Sequence, residues 1–307
     1  MNFFTRDDGV HIQIVPGFRE RALSYRAAVS PRADWADADY AGAAAKKRKR
    51  FQRIADQARA FGFDPRGRTT LDVGCGDGSN CLLLAEAGAK SAQGIDLEPA
   101  LLAPTEKGEC TRRLAAHLIG HGAEGDFAAR LARLPVTLET MDATRMSFAD
   151  GAFDFVMSRS AMEHVRPVDR TLREIARVTR PGGLIYLSID PFYWLRGCHK
   201  RGVVDIPWAH ARLTLDEYPR FVNETEGAEA SARRHERLAT LNRLTLAQWR
   251  EQIDATGCTV LEWREDISAL GESVLHEHPD VTATLLPGVT AQDLLRERIK
   301  VWLRRGE

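Results

Sequence analysis

The sequence has no excess of either charge, no long apolar run and no paired cysteines, and each absence excludes something. Its 307 residues carry 43 basic and 43 acidic side chains, so no net field draws the chain toward nucleic acid or an anionic membrane. No apolar run approaches the roughly 20 residues of a membrane span. The first residues, Met1-Asn2-Phe3-Phe4-Thr5-Arg6-Asp7-Asp8, lack the basic and apolar regions of a signal peptide. The expectation is a cytoplasmic protein without nucleic-acid or membrane partners. Cys75, Cys81, Cys110, Cys198 and Cys258 are odd in number and scattered, with no C-x-x-C pair. That argues against a disulfide framework and a zinc site, and for reduced, mostly buried thiols.

What is present is 44% apolar composition, enough for a sizeable core. Residues 1–42 mix aromatics, arginines and Ala-Asp repeats around the breakers Pro16-Gly17 and Ser30-Pro31, and read as a cap segment of loop and short helix. Residues 41–62 turn helical, with Phe51, Ile54, Ala55, Ala58 and Phe61 on one face. The run Lys46-Lys47-Arg48-Lys49-Arg50 points all round that helix and reads as a solvated helix start rather than a nucleic-acid patch.

The stretch Leu71-Asp72-Val73-Gly74-Cys75-Gly76-Asp77-Gly78 is a strand end followed by three alternate glycines, and residues 80–88 after it read as a helix. Strand, glycine loop and helix in that order form a ligand-binding turn of an open α/β sheet. Asp96 ends the next strand twenty positions after Gly76, where an acidic side chain meets the ribose hydroxyls of a nucleoside. A helix-rich stretch follows over 98–134. The third strand, 135–141, ends at Asp142-Ala143, and the fourth ends near Ser158. Residues 167–179 are an amphipathic helix through Leu172, Ile175, Ala176 and Val178; Arg180-Pro181-Gly182-Gly183 stops it, and 184–189 is a fifth strand. Strands alternating with helices mean a parallel sheet covered on both faces.

With these motifs in order, joined by Phe153-Asp154-Phe155-Val156 and Glu163-His164-Val165, the chain resembles the class I S-adenosylmethionine-dependent methyltransferases, in the broad group that includes the ubiquinone-pathway enzymes. A nicotinamide-binding domain would place its third glycine one position later. The resemblance implies a Rossmann-like sheet of seven strands, mostly parallel, whose last two form an antiparallel hairpin, with S-adenosyl-L-methionine as cofactor. It divides the chain into a core over 43–190, a lid insertion over 191–244 and a C-terminal part of the core over 245–307, which carries a helical insertion at 267–297. It further implies that Asp72, Gly74 and Gly76 hold the methionine end, Asp96 the ribose, Asp142 with Ala143 the adenine, and Ser158 the methionine carboxylate and methyl region, with Cys75 and Leu97 also among the cofactor-binding positions.

Methyl transfer from a sulfonium is an in-line displacement, and a hydroxyl acceptor gains from a base near neutral pKa. His164, after the fourth strand, is one candidate. His199 and His210 are others, in a lid read as loop, where Phe192-Tyr193-Trp194 and Trp208 stand beside them. Metal-binding relatives carry a glutamate where this chain has Ser160, so no metal is expected at Glu163-His164. Asp190-Pro191-Phe192-Tyr193 follows the fifth strand rather than the fourth and so does not match the box of nucleic-acid amino-methyltransferases. The expected activity is methylation of a small polar acceptor, a hydroxyl of a sugar or natural product. N-methylation and a non-catalytic cofactor-binding role are the alternatives, and the oligomeric state, a homodimer included, is open.

Overall fold

A computed structural model describes residues 2–24, 31–119 and 124–307. Ser30 of the Ser30-Pro31 breaker and positions 120–123 of the 98–134 stretch lie outside them. The strands are β1 (Phe3–Thr5), β2 (His11–Gln13), β3 (Thr69–Val73), β4 (Ser91–Asp96), β5 (Val136–Thr140), β6 (Phe153–Arg159), β7 (Thr179–Ile189), β8 (Thr259–Ile267) and β9 (Arg296–Arg304). The main sheet has seven strands in the order β5-β4-β3-β6-β7-β9-β8. β3 to β7 run parallel, and β9 is antiparallel to both β7 and β8. This is the expected Rossmann-like architecture with its final hairpin. The chain winds from β3 outward to β5, then returns to β6 on the other side of β3. A crevice opens where the winding reverses, at the carboxyl ends of the strands.

Apolar runs build the central strands because both of their faces are covered. On one side Tyr40, Phe51, Ile54, Ala55 and Ala58 of the Asp37–Ala60 helix pack with Phe155, Tyr186 and Trp302. On the other, Leu172, Ile175 and Val178 of the Val168–Val178 helix pack with Val156, Ile185 and Leu187. The Arg180-Pro181-Gly182-Gly183 stretch, expected to stop the helix ahead of a strand at 184–189, already belongs to β7. Gly182 N–H donates to Arg305 O (3.0 Å) and Arg305 N–H to Gly183 O (3.0 Å), so the segment after β9 draws it into the sheet. The run at 46–50 is not a uniformly solvated face. Lys47 pairs with Asp77 (2.7 Å), and Arg48 donates to the carbonyls of His117 and Leu118.

A second core lies beyond the sheet edge and is assembled from three separate parts of the chain. Phe4, Ile12 and Phe18 from the N-terminal segment meet Phe192, Trp208, Tyr218, Phe221 and Leu241 from the middle, and Val274, Val281 and Leu294 from near the end. Two expectations change here. The first segment contains a β1–β2 hairpin and the helix Phe18–Leu23 rather than loop and helix alone. The 191–244 segment is largely helical rather than loop, with Glu217–Glu226 and Ala228–Ala239 as its longer helices. Tyr218, Phe221, Val222, Ala230 and Leu238 recur at helical spacing but are diluted among charged neighbours, and only tertiary packing reveals the stripe. Arg212, buried at 1% exposure, ties the parts together through Asp280 (3.0 Å), Thr284 Oγ1 (2.7 Å) and Pro207 O (3.3 Å). Among the described residues no helix is long and apolar enough to cross a membrane.

Candidate active site

The crevice at the strand ends holds a cavity of about 590 Å³. Its floor is the loop after β3. Gly74, Gly76 and Gly78 all have positive φ, and a Cβ at Gly74 would stand 2.3 Å from Ala161 Cβ. Glycine is required there for both reasons at once. Gly74 and Cys75 N–H groups donate to Ile95 O (2.8 and 2.9 Å), which pins the loop to β4. The remaining wall comes from β5 and β6 and the turns that follow them.

Of the positions expected to bind cofactor, Gly74, Gly76, Asp96, Leu97, Asp142, Ala143 and Ser158 line this cavity together, with His164 beside them. Asp96 Oδ2 accepts from Gly76 N–H (2.9 Å) and Oδ1 from Glu98 N–H (3.0 Å), so the carboxylate is aimed by the backbone while each oxygen keeps a further lone pair. Leu97 is 69% exposed, an apolar side chain presented to the crevice. Asp142 Oδ1 accepts from Thr144 N–H (2.8 Å). Ser158 Oγ is buried and makes no hydrogen bond. Asp72 and Cys75 do not reach the cavity surface. Asp72 is buried behind the loop, where Asn80 Nδ2 donates to Oδ2 (3.0 Å) and Oδ1 has no partner. Burial, only partly offset by the Asn80 hydrogen bond, pushes its carboxyl up to about 7. Cys75 packs its buried side chain toward Gly94, and burial raises its thiol.

The three histidines separate. His164 ends the short turn Met162–His164 on the cavity wall, and its ring stacks on His199 at 5.1 Å with 4° between planes. His199 is half-buried with φ +55° and is not part of the lining. His210 is a correction to the base candidates. It is 4% exposed, its Nε2 lies 3.1 Å from Trp194 O, and its ring meets Phe192 edge-on, so it belongs to the second core. Desolvation lowers its pKa to about 4. Trp208, 1% exposed, is core as well. Asp205 accepts from Gly17 and Arg19 N–H (3.3 and 2.8 Å) and holds the Phe18–Leu23 helix start. Among the described residues no His, Cys, Asp and Glu cluster is arranged to hold a metal.

Sequence reasoning missed Lys107, Thr144, Ser160, Ala161 and Arg166 in the lining. Ser160 takes φ +50° and its N–H donates to Ser188 O (2.7 Å), a strained turn that presses Ala161 against the glycine loop. The second core reaches this turn through Asn242, whose N–H donates to Glu163 O (2.9 Å) and whose Nδ2 donates to Met162 O (2.7 Å). Glu163 is buried under it, and desolvation, with the Asp190 charge nearby, raises its carboxyl to about 8.

Residues 71–187, which contain the whole glycine loop and most of the cavity wall, match the profile of the family described as a methyltransferase domain. Ajmaline N-methyltransferase of Rauvolfia serpentina is 31% identical over 140 residues, 44% of this chain and 42% of that protein. A ubiquinone biosynthesis O-methyltransferase of Sinorhizobium medicae is 31% identical over 137 residues, 43% of this chain and 47% of that protein. The matched segment thus spans less than half the length of these curated relatives. A crystal structure of an S-adenosylmethionine-dependent methyltransferase from Mesorhizobium loti covers 81% of this chain and 96% of its own, with 18% identity and a TM-score of 0.45. Over residues 71–187 the chain is therefore similar to a methyltransferase domain, and the segment shared with these relatives comes from enzymes of both nitrogen and oxygen methylation.

Proposed function

We propose that this protein transfers the methyl group of S-adenosylmethionine to a small polar acceptor, a hydroxyl of a sugar or natural product, with His164 taking the acceptor's proton. The observation that carries this reading is the glycine cradle under the cavity, closed so tightly against Ala161 that no side chain fits at Gly74. Around it stand groups whose chemistry suits the cofactor. Asp96 offers two lone pairs to vicinal hydroxyls, Leu97 and Ala143 offer apolar surface to a purine, and Ser158 Oγ on the lining is a buried polar atom with no partner of its own. S-adenosylmethionine supplies an electrophilic methyl on a sulfonium centre when bound there. The chain's part is to align acceptor and donor, keep water out and remove a proton.

Among the described residues His164 is the one histidine on the cavity wall. Stacking on His199 fixes the plane of its ring, which favours a defined direction of proton transfer. An oxygen acceptor needs that proton removed as the bond forms, which is the reason to prefer a hydroxyl; the relatives' names include both oxygen and nitrogen methylation. Calorimetry with S-adenosylmethionine tests the cofactor half. Asp96→Ala removes two charge-assisted hydrogen bonds and should weaken binding roughly a hundredfold or more. Incubation of labelled cofactor with fractionated metabolites tests the other half: His164→Ala should bind cofactor normally yet transfer label roughly a hundredfold more slowly. Absence of cofactor binding in the parent protein would overturn the proposal. Undiminished transfer by His164→Ala would remove the base.

A further inference from the structure

A second concavity, of about 500 Å³, opens between the Asp37–Ala60 helix and the β6-β7-β9-β8 end of the sheet. Six cationic side chains line it, Arg50, Arg53, Arg159, Arg264, Arg298 and Lys300, against the carboxylates of Asp56 and Glu262. Some of this charge is already compensated. Arg298 is held by Asp190 (2.8 Å), and Lys300 and Arg264 share Asp266. Asp56, in turn, is occupied by Gln52 (2.7 Å) and Arg59 (2.8 Å). Arg50 and Arg159 are both half-buried, and neither guanidinium has a hydrogen-bonded or ion-paired partner among the described residues.

Two guanidiniums placed side by side, partly dehydrated and next to a third, cost the fold stability and return nothing to it. The strain registers in their titration: burial, with Arg159 and Arg298 nearby, lowers Arg50 to about 10, and burial, with Arg298 nearby, lowers Arg159. Tyr186 and Ser188 add hydroxyls to the same wall. The position is next to the cofactor cavity. Ser158 lines one hollow and Arg159 the other, and Ser160, on the cofactor side, donates its N–H to Ser188 O.

We propose that this concavity binds a compact small-molecule anion, a carboxylate or phosphate group gripped by Arg50 and Arg159 with Arg298 behind them. Guanidinium forks match such planar or tetrahedral oxyanions two oxygens at a time. The wall carboxylates Asp56 and Glu262, with Asp266 near them, oppose a long polyanion such as nucleic acid, which would have to cross them. The site stands whether or not methyl transfer to a hydroxyl is the activity.

Calorimetric titration of the full chain with inorganic pyrophosphate and with citrate at low ionic strength tests it. Binding is expected, weakened roughly tenfold or more in Arg50→Gln and in Arg159→Gln. It should be unchanged in Arg173→Gln, which removes the same charge from an exposed site on the Val168–Val178 helix. Without anion, Arg50→Gln and Arg159→Gln should unfold in urea at or above the parent midpoint, because repulsion is relieved; pyrophosphate should raise the melting temperature of the parent and not of these variants. S-adenosylmethionine titrated in parallel separates the two readings, since its failure to bind would leave the pyrophosphate result intact. No binding of either anion at millimolar concentration, equal weakening in Arg173→Gln, or tighter binding of a single-stranded oligonucleotide than of pyrophosphate would each overturn the proposal.

Discussion

The contact between Gly74 and Ala161 can be tested by a double-mutant cycle. Gly74 has φ +73°, and an added Cβ would meet Ala161 Cβ at 2.3 Å, while the next atom, Ala161 Cα, is at an ordinary 3.8 Å. Gly74→Ala therefore carries two separable penalties: about 1–2 kcal/mol for an L-residue in the left-handed region, and about 1–3 kcal/mol for overpacking. Ala161→Gly alone should cost only about 0.5–1 kcal/mol of backbone entropy. In the double variant the overlap vanishes and the backbone strain stays, so the two changes should couple favourably by about 1–3 kcal/mol. Urea unfolding followed by circular dichroism gives the stabilities, provided the slope with denaturant is common to all four proteins. Cofactor calorimetry should show the same order, with the double variant recovering part of the affinity that Gly74→Ala loses. If the double variant is no more stable than the two single losses add up to, the loop yields to the added methyl, and the close approach is not what demands glycine.

Other perturbations follow from the same geometry. His210→Ala removes a buried ring set edge-on against Phe192 and should cost about 2–4 kcal/mol of stability while leaving transfer by the folded fraction intact, the reverse of His164→Ala. Asp72 and Glu163 hold protons up to about 7 and about 8 when folded, against 3.8 and 4.5 ordinarily. The folded state then binds more protons than the unfolded one between these limits, so cofactor-free stability should fall as pH rises from about 5 to 8, by at most roughly 1.4 kcal/mol per pH unit per group. Asp72→Asn and Glu163→Gln should each flatten that slope, and a stability that stays level in the parent would contradict the burial argument. Deletion of residues 1–23 uncovers Phe192, Phe221 and Leu294 and should lower the urea midpoint and increase binding of a hydrophobic dye.

The strand-end wall of the cavity was legible because its determinants are local. Gly74, Gly76, Asp96 and Asp142 sit at strand ends, and a strand's end can be read from a short apolar run and the glycine or acid that follows it. The turn at Ser160 and Ala161 was not, since its shape comes from a hydrogen bond to Ser188 and from Asn242, far along the chain. His210 and Trp208 had the residue types of a binding lid, but burial decides their role and a sequence does not display burial. Arg50 belonged to a run that looked solvated; only the sheet opposite it shows that this one member faces inward while its neighbours find carbonyls and Asp77.

The second core also constrains synthesis. Phe4 and Ile12 leave the ribosome long before their partners Val281 and Leu294 are made. The nascent chain must carry an apolar hairpin without its full complement of neighbours while the entire sheet up to β8 is translated. Long-range closure of this kind slows folding and prolongs exposure of sticky surface. The parallel strands and their glycine loop can therefore form during translation, but the body that braces the His164 turn through Asn242 is completed only once Leu294 has been made, so a chain interrupted before it would keep the cradle and lose the brace.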